Sequence, residues 1–144
     1  FDNIKTINDN KIKEHLFWKK VQDLELNGYI LTSNNLCNKT IIYTNFPILF
    51  CFHPLDYIPY FPKLASPTKS MTDKVLGISY DELEYKNLSG ISEIEIKKIY
   101  ENKSFAEWDI LKKDLNLSAL IVPNDWNLDL NLIIEDKYKV YKIE

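Results

Sequence analysis

Apolar residues follow two different rhythms along this chain. Between Lys11 and Leu26, the residues Ile12, Leu16, Phe17, Val21 and Leu24 recur at helical spacing and predict an amphipathic helix. Asn27-Gly28 follows, and glycine accepts the left-handed conformation that ends helices, so the pair predicts the helix stop. The polar stretch 1–10 before this helix reads as a leader or linker, leaving 11–144 as one domain. The second rhythm is that of short, continuous apolar runs. Tyr29–Ser33 and Thr40–Thr44 read as strands, the latter apolar on both faces as in a covered parallel sheet. Pro47–Phe52 is a third such run.

Punctuation residues organise the rest. Pro54, Pro59, Pro62 and Pro67 predict a long irregular loop carrying Tyr57, Tyr60 and Phe61. Ser66-Pro67 predicts the start of a helix ending at Gly77, with Ser66 as N-cap. Ser92…Glu95 and Ser104…Glu107 are two capping boxes, each opening a helix. Ala119–Val122 reads as a short buried strand closed by Pro123. Leu130–Ile134 and Tyr138–Ile143 read as a hairpin across Glu135-Asp136, the last strand alternating with lysines as a blunted edge strand would. The order of elements predicts an α/β domain with a mixed or partly parallel sheet of about five strands flanked by helices.

Composition narrows the functional classes. A chain of 144 residues with 45% apolar residues can build a core without help from a metal or a disulfide. The net charge is −3, and every one of the 18 basic residues is lysine. An acidic chain without arginine lacks the residue best suited to grip phosphate and guanine, so nucleic acid is not an expected partner. With only three glycines, neither a dinucleotide fingerprint nor a P-loop is present, and no cofactor is expected. No Cys-x-x-Cys or His-Glu-x-x-His pattern occurs, and no metal site is expected. Cys37 and Cys51 are compatible with one bridge in an oxidising compartment or with two small buried thiols.

The densest chemical cluster is Cys51, His53 and Asp56. A thiolate beside an imidazole is a nucleophile, and the same trio could ligate a metal. The plainer reading is a buried strand end whose polar residues cap the next loop. The aromatic loop carrying Tyr57 and Tyr60 offers stacking faces for a sugar or peptide, or folds as a lid. Asp125 and Trp126 follow the buried strand directly, where α/β sheets gather ligands, or else form a turn with the ring in the core. The acidic residues Asp81, Glu82 and Glu84 read as a solvated face or a cation site. His15 reads as a surface residue of the first helix.

Trp108, Lys112-Lys113, Ile121-Val122-Pro123, Trp126 and Tyr141-Lys142-Ile143, with Leu55–Tyr60, together form a pattern. It resembles the C-terminal soluble domains of bacterial polytopic membrane proteins related to lipid-linked-sugar glycosyltransferases. The matching segments are packing and turn motifs. The resemblance implies that a membrane portion precedes Phe1, with the domain held on the extracytoplasmic face beside it. Catalytic acids of such proteins lie in membrane-portion loops, so no catalytic residue carries over. The expected function is an accessory, non-catalytic domain for substrate binding or assembly. The alternatives are a small hydrolase built on Cys51, His53 and Asp56, and a protein-interaction module using the aromatic loop.

Overall fold

The computed structural model describes residues 2–51, 63, 65–79 and 91–144, with side chains from Asn10 onward. In chain order the elements are α1 (Asp2–Gln22), β1 (Tyr29–Thr32), a 3-10 turn (Asn34–Leu36), α2 (Cys37–Thr44), α3 (Ala65–Leu76), α4 (Glu93–Glu101), α5 (Phe105–Leu115), β2 (Leu117–Pro123), β3 (Asn131–Glu135) and β4 (Tyr138–Lys142). The strands form one sheet in the order β1-β2-β4-β3. β1 runs parallel to β2, whereas β4 is antiparallel to both β2 and β3. The fold is therefore α/β with a mixed sheet, four strands against the five or so expected.

Side chains alternate across a pleated strand, so each strand serves two layers. On one face Leu31, Leu120, Val122 and Tyr141 join Val75, Leu76, Ile96, Tyr100, Trp108 and Leu111, which come from α3, α4 and α5. On the other face Ile30, Ile121 and Val140 meet Phe17, Trp18 and Val21 of α1. Two helical layers thus sandwich the sheet. The rings are set edge-on: Tyr100 meets Trp108 at 5.5 Å and Trp126 at 5.6 Å between centroids, an arrangement that aligns ring edges with ring faces.

Several local signals act as read. Ser92 and Ser104 both cap their helices, each accepting from the backbone N–H three residues on, while Glu95 and Glu107 return the bond. The α3 helix ends at Leu76, and Gly77 takes φ +67° beyond it. The start of α3 differs from the expectation: the helix begins at Ala65, so Ser66 is its second residue rather than its N-cap and Pro67 its third, still within the first turn where a missing N–H leaves no bond unmade. The β3–β4 hairpin forms with a register shift between Leu132 and Ile134.

Four readings need correction. Thr40–Thr44 is helical, not a strand. Thr40 donates to the Leu36 carbonyl and Thr44 to that of Thr40, while Cys37, Thr40 and Thr44 turn inward at helical spacing. Packing overrides the β-branched composition here. The run after it contributes only a bridge beside β1, at Ile30–Ile48. The first helix reaches back to Asp2 and stops at Gln22 rather than at Gly28. Its buried face is Phe17, Trp18 and Val21, which leaves Ile12 57% and Leu16 50% exposed. The last strand is not an edge: β4 lies inside the sheet and β3 is outermost.

Gly28 serves the sheet rather than the helix. At φ +141° its backbone passes so near Asn116 that a Cβ would clash with the Asn116 carbonyl oxygen. That oxygen accepts from Tyr29 N–H at 2.8 Å, fastening the starts of β1 and β2. Gly28→Ala should therefore cost about 2–3 kcal/mol in urea unfolding, through strain and lost contact. Gly77→Ala, at a left-handed site with open space around it, should cost about 1 kcal/mol. The reverse ranking would show that the Gly28 crossing is not a constraint.

Candidate functional site

The carboxyl ends of β1 and β2 share one edge of the sheet, because the two strands are parallel. The chain leaving β2 there is fastened on every side. Asp125 is exposed and paired with Lys97 of α4 at 2.6 Å. The hydrogen bond from Lys97 holds the Asp125 carboxyl below its usual range. Asn127 N–H donates to Glu101 and Phe105 N–H to Asp129. The Trp126 carbonyl accepts from Lys139 Nζ at 3.2 Å and from Tyr141 OH at 3.1 Å. Lys139 is only 7% exposed and also donates to Asn127 Oδ1 at 2.8 Å. The Trp126 ring is 2% exposed, packed in the core with Tyr100. Asp125 and Trp126 therefore point apart, one to solvent and one inward, and their bonds hold a turn.

Cys51 is half-buried and bonded to Cys37 in a disulfide, with Cα atoms 6.0 Å apart. A thiolate at Cys51 therefore requires that bridge to be reduced. His53, Asp56, Tyr57 and Tyr60 lie outside the described residues, as do Asp81, Glu82 and Glu84. Among the described residues, no group of three His, Cys, Asp or Glu side chains is placed to hold a metal. Burial, and then the charge of Glu93, push the Tyr100 phenol well above its ordinary range, so it does not ionise near neutral pH.

A different polar cluster forms where α1, α2 and the β3–β4 turn meet. Glu14 Oε1 accepts from Lys39 Nζ at 2.8 Å and from Tyr138 OH at 3.1 Å. Glu14 Oε2 accepts from Lys137 Nζ at 2.6 Å. Lys39 also donates to Tyr138 OH at 3.2 Å. A cleft of about 410 Å³ opens beside this cluster, lined by Lys11, Glu14, His15, Lys39 and Tyr43. The Tyr43 ring stacks on Trp18 at 5.5 Å, which fixes the cleft wall to the core. Burial alone would raise the Glu14 carboxyl, but the hydrogen bonds from Lys137, Lys39 and Tyr138 outweigh it and bring it down to about 2. The bonds from Glu14 and Tyr138 in turn raise Lys39. The lowered Glu14 stays a carboxylate and the raised Lys39 stays an ammonium near neutral pH, so the cluster is an electrostatic anchor rather than an acid–base pair.

Sequence reasoning placed His15 on the surface, where it is, but did not single out Glu14, Lys39, Lys137 or Tyr138. Glu14 and Lys137 are 123 residues apart. No local spacing reveals such a cluster, and only the predicted positions of Glu14 on a helix and Tyr138 at a strand start hinted at it. Comparison with protein families, curated proteins and solved structures finds no match to this chain.

The Glu14 carboxyl titrates lower in the folded chain than its ordinary 4.5, so its contribution is full above pH 4.5 and is lost as pH falls towards 2. After allowance for solvent screening, Glu14→Gln should lower stability at pH 7 by about 1–2 kcal/mol. The gap between Glu14→Gln and the parent should close as unfolding is measured from pH 4.5 down to pH 2. A gap that does not change with pH would assign the loss to packing instead of charge.

Proposed function

We propose that this domain is an accessory, non-catalytic binding domain, held on the extracytoplasmic side of a membrane by a larger protein. The observation that carries the reading is the Cys37–Cys51 bridge, which joins the start of α2 to the segment beside β1 across 14 residues. Disulfides persist in oxidising compartments and are rare where thiols are kept reduced. The bridge also occupies the sulfur on which the hydrolase alternative depends. Trp108 and Trp126, part of the pattern that resembles soluble domains of lipid-linked-sugar glycosyltransferase-type membrane proteins, are buried core residues here. Their burial makes these positions of the pattern packing residues, not chemistry. Within the described residues no helix is long and apolar enough to cross a membrane, so the reading places the anchor elsewhere in the larger protein. A cleft walled by fixed charges suits holding a ligand or a neighbouring segment of that protein.

The test is topological. Spheroplasts of cells producing the natural protein should expose the domain to added protease, and the protein should sediment with membranes. Its cysteines should resist alkylation until reduced. Recovery in the cytosolic fraction with both thiols free would overturn the reading. The bridge should also stabilise the fold: closing a loop of this length contributes about 3 kcal/mol in the chain-entropy model. Cys37→Ser with Cys51→Ser should lower stability by roughly that amount in urea unfolding.

A further inference from the structure

We propose that the cleft between α1 and α2 binds a phosphoryl group, or an oxyanion of the same charge and shape. The inference rests on reading the domain as a binding module and names the class of ligand it would hold. Lys39 and Lys137 both bond the Glu14 carboxylate, and Lys11 lines the same cleft as Glu14 and Lys39, in a chain whose net charge is −3. That carboxylate is already committed. Both oxygens of Glu14 accept hydrogen bonds, three in all, from Lys39, Tyr138 and Lys137.

The cations are not used up in the same way. An ammonium group carries three donors. Lys39 gives one to Glu14 and one to Tyr138 OH, which leaves one at the wall of the cleft. Lys137 gives one to Glu14. Lys11 lines the cleft and has no ion pair with any described residue. Glu14 therefore acts as a positioning residue. It holds Lys39 in place at the cleft wall, removing part of the entropy that an anion would otherwise have to overcome. His15 adds a ring nitrogen to the same wall.

The surroundings suit an anion carried on an apolar or aromatic body. Tyr43 is 40% exposed at the cleft and braced from behind by Trp18. Ile12 and Leu16 lie on the solvent side of α1, next in sequence to Lys11 and His15. Lysine binds phosphate as a point charge, so a site without arginine remains chemically adequate. A soluble phosphate ester and a lipid phosphate headgroup share this chemistry, and the apolar residues beside the cleft are compatible with either.

The experiment has two arms. In the first, pyrophosphate is titrated into the protein and followed by amide chemical shifts. In the second, the protein is sedimented with vesicles of phosphatidylcholine alone or mixed with phosphatidylglycerol. Lys11→Glu is the main variant, since it breaks no described contact. Lys11→Gln with Lys39→Gln is the second, and Lys98→Gln, exposed on α4, is the control. Saturable pyrophosphate shifts at Lys11, His15 and Lys39, weakened at least tenfold by Lys11→Glu but not by Lys98→Gln, support the site and a soluble ester. Sedimentation only with phosphatidylglycerol, lost in Lys11→Glu and in Ile12→Ser with Leu16→Ser, supports the site and a lipid headgroup. Absence of binding in both arms overturns the proposal, and so does equal weakening by Lys98→Gln. A cytosolic location with the cleft still binding would remove the accessory-domain reading and leave the site intact.

Discussion

Ala119, Leu120, Ile121 and Val122 are all fully buried, so β2 has no face that can meet water. That one strand obliges the chain to supply two covers, and the rest of the architecture follows. β1 and β4 pair with its two edges, satisfying its backbone groups, and α1 covers one face while α3, α4 and α5 cover the other. The two covers are unequal. Three helices and three large rings seal one side. The other relies on α1, whose buried face is Phe17, Trp18 and Val21, with Leu36 beside it.

Ion pairs reinforce the thinner cover. Glu14 ties α1 to α2 and to the hairpin turn, and Lys20 reaches Asp136 of the same turn at 2.9 Å. Exposed pairs contribute little singly, but a carboxylate accepting three bonds is fixed in geometry and less screened. On the opposite face charge is handled by burial with hydrogen bonds. Lys139 keeps its ammonium inside by donating to the Trp126 carbonyl and to Asn127. One face therefore spends its lysines on cohesion, and the other keeps unspent donors beside an open cleft.

What the sequence revealed tracks how local each determinant is. The capping boxes at Ser92 and Ser104, the stop at Gly77 and the hairpin around Glu135-Asp136 depend on neighbours within a few residues, and they form as read. The helix over Cys37–Thr44 escaped because its composition favours strand, while its inward-facing Cys37, Thr40 and Thr44 obey tertiary demands. The exposed Ile12 and Leu16 escaped for a related reason: periodicity identified an apolar stripe but not which third of the helix the sheet would cover. The Glu14 cluster was invisible because its members come from opposite ends of the chain. Trp126 was correctly placed after a buried strand, yet whether its ring turned outward or inward depended on Tyr100 and Tyr141, which no spacing connects to it.

The crossing of Gly28 over Asn116 has a consequence for how the sheet is encoded. A strand with one wet face carries its own alignment, since a slip by one residue would expose its apolar set. β1 has no such safeguard, because Ile30 and Leu31 are both apolar and exchanging them between layers would leave the polarity pattern unchanged. Its alignment is favoured instead at the entrance to the strand, where the close backbone approach of Gly28 to Asn116 accompanies the pairing of Tyr29 with Leu117. In a doubly covered sheet of this kind, the message that selects one arrangement among near-equivalents is carried by an atom that is missing, the Cβ at position 28.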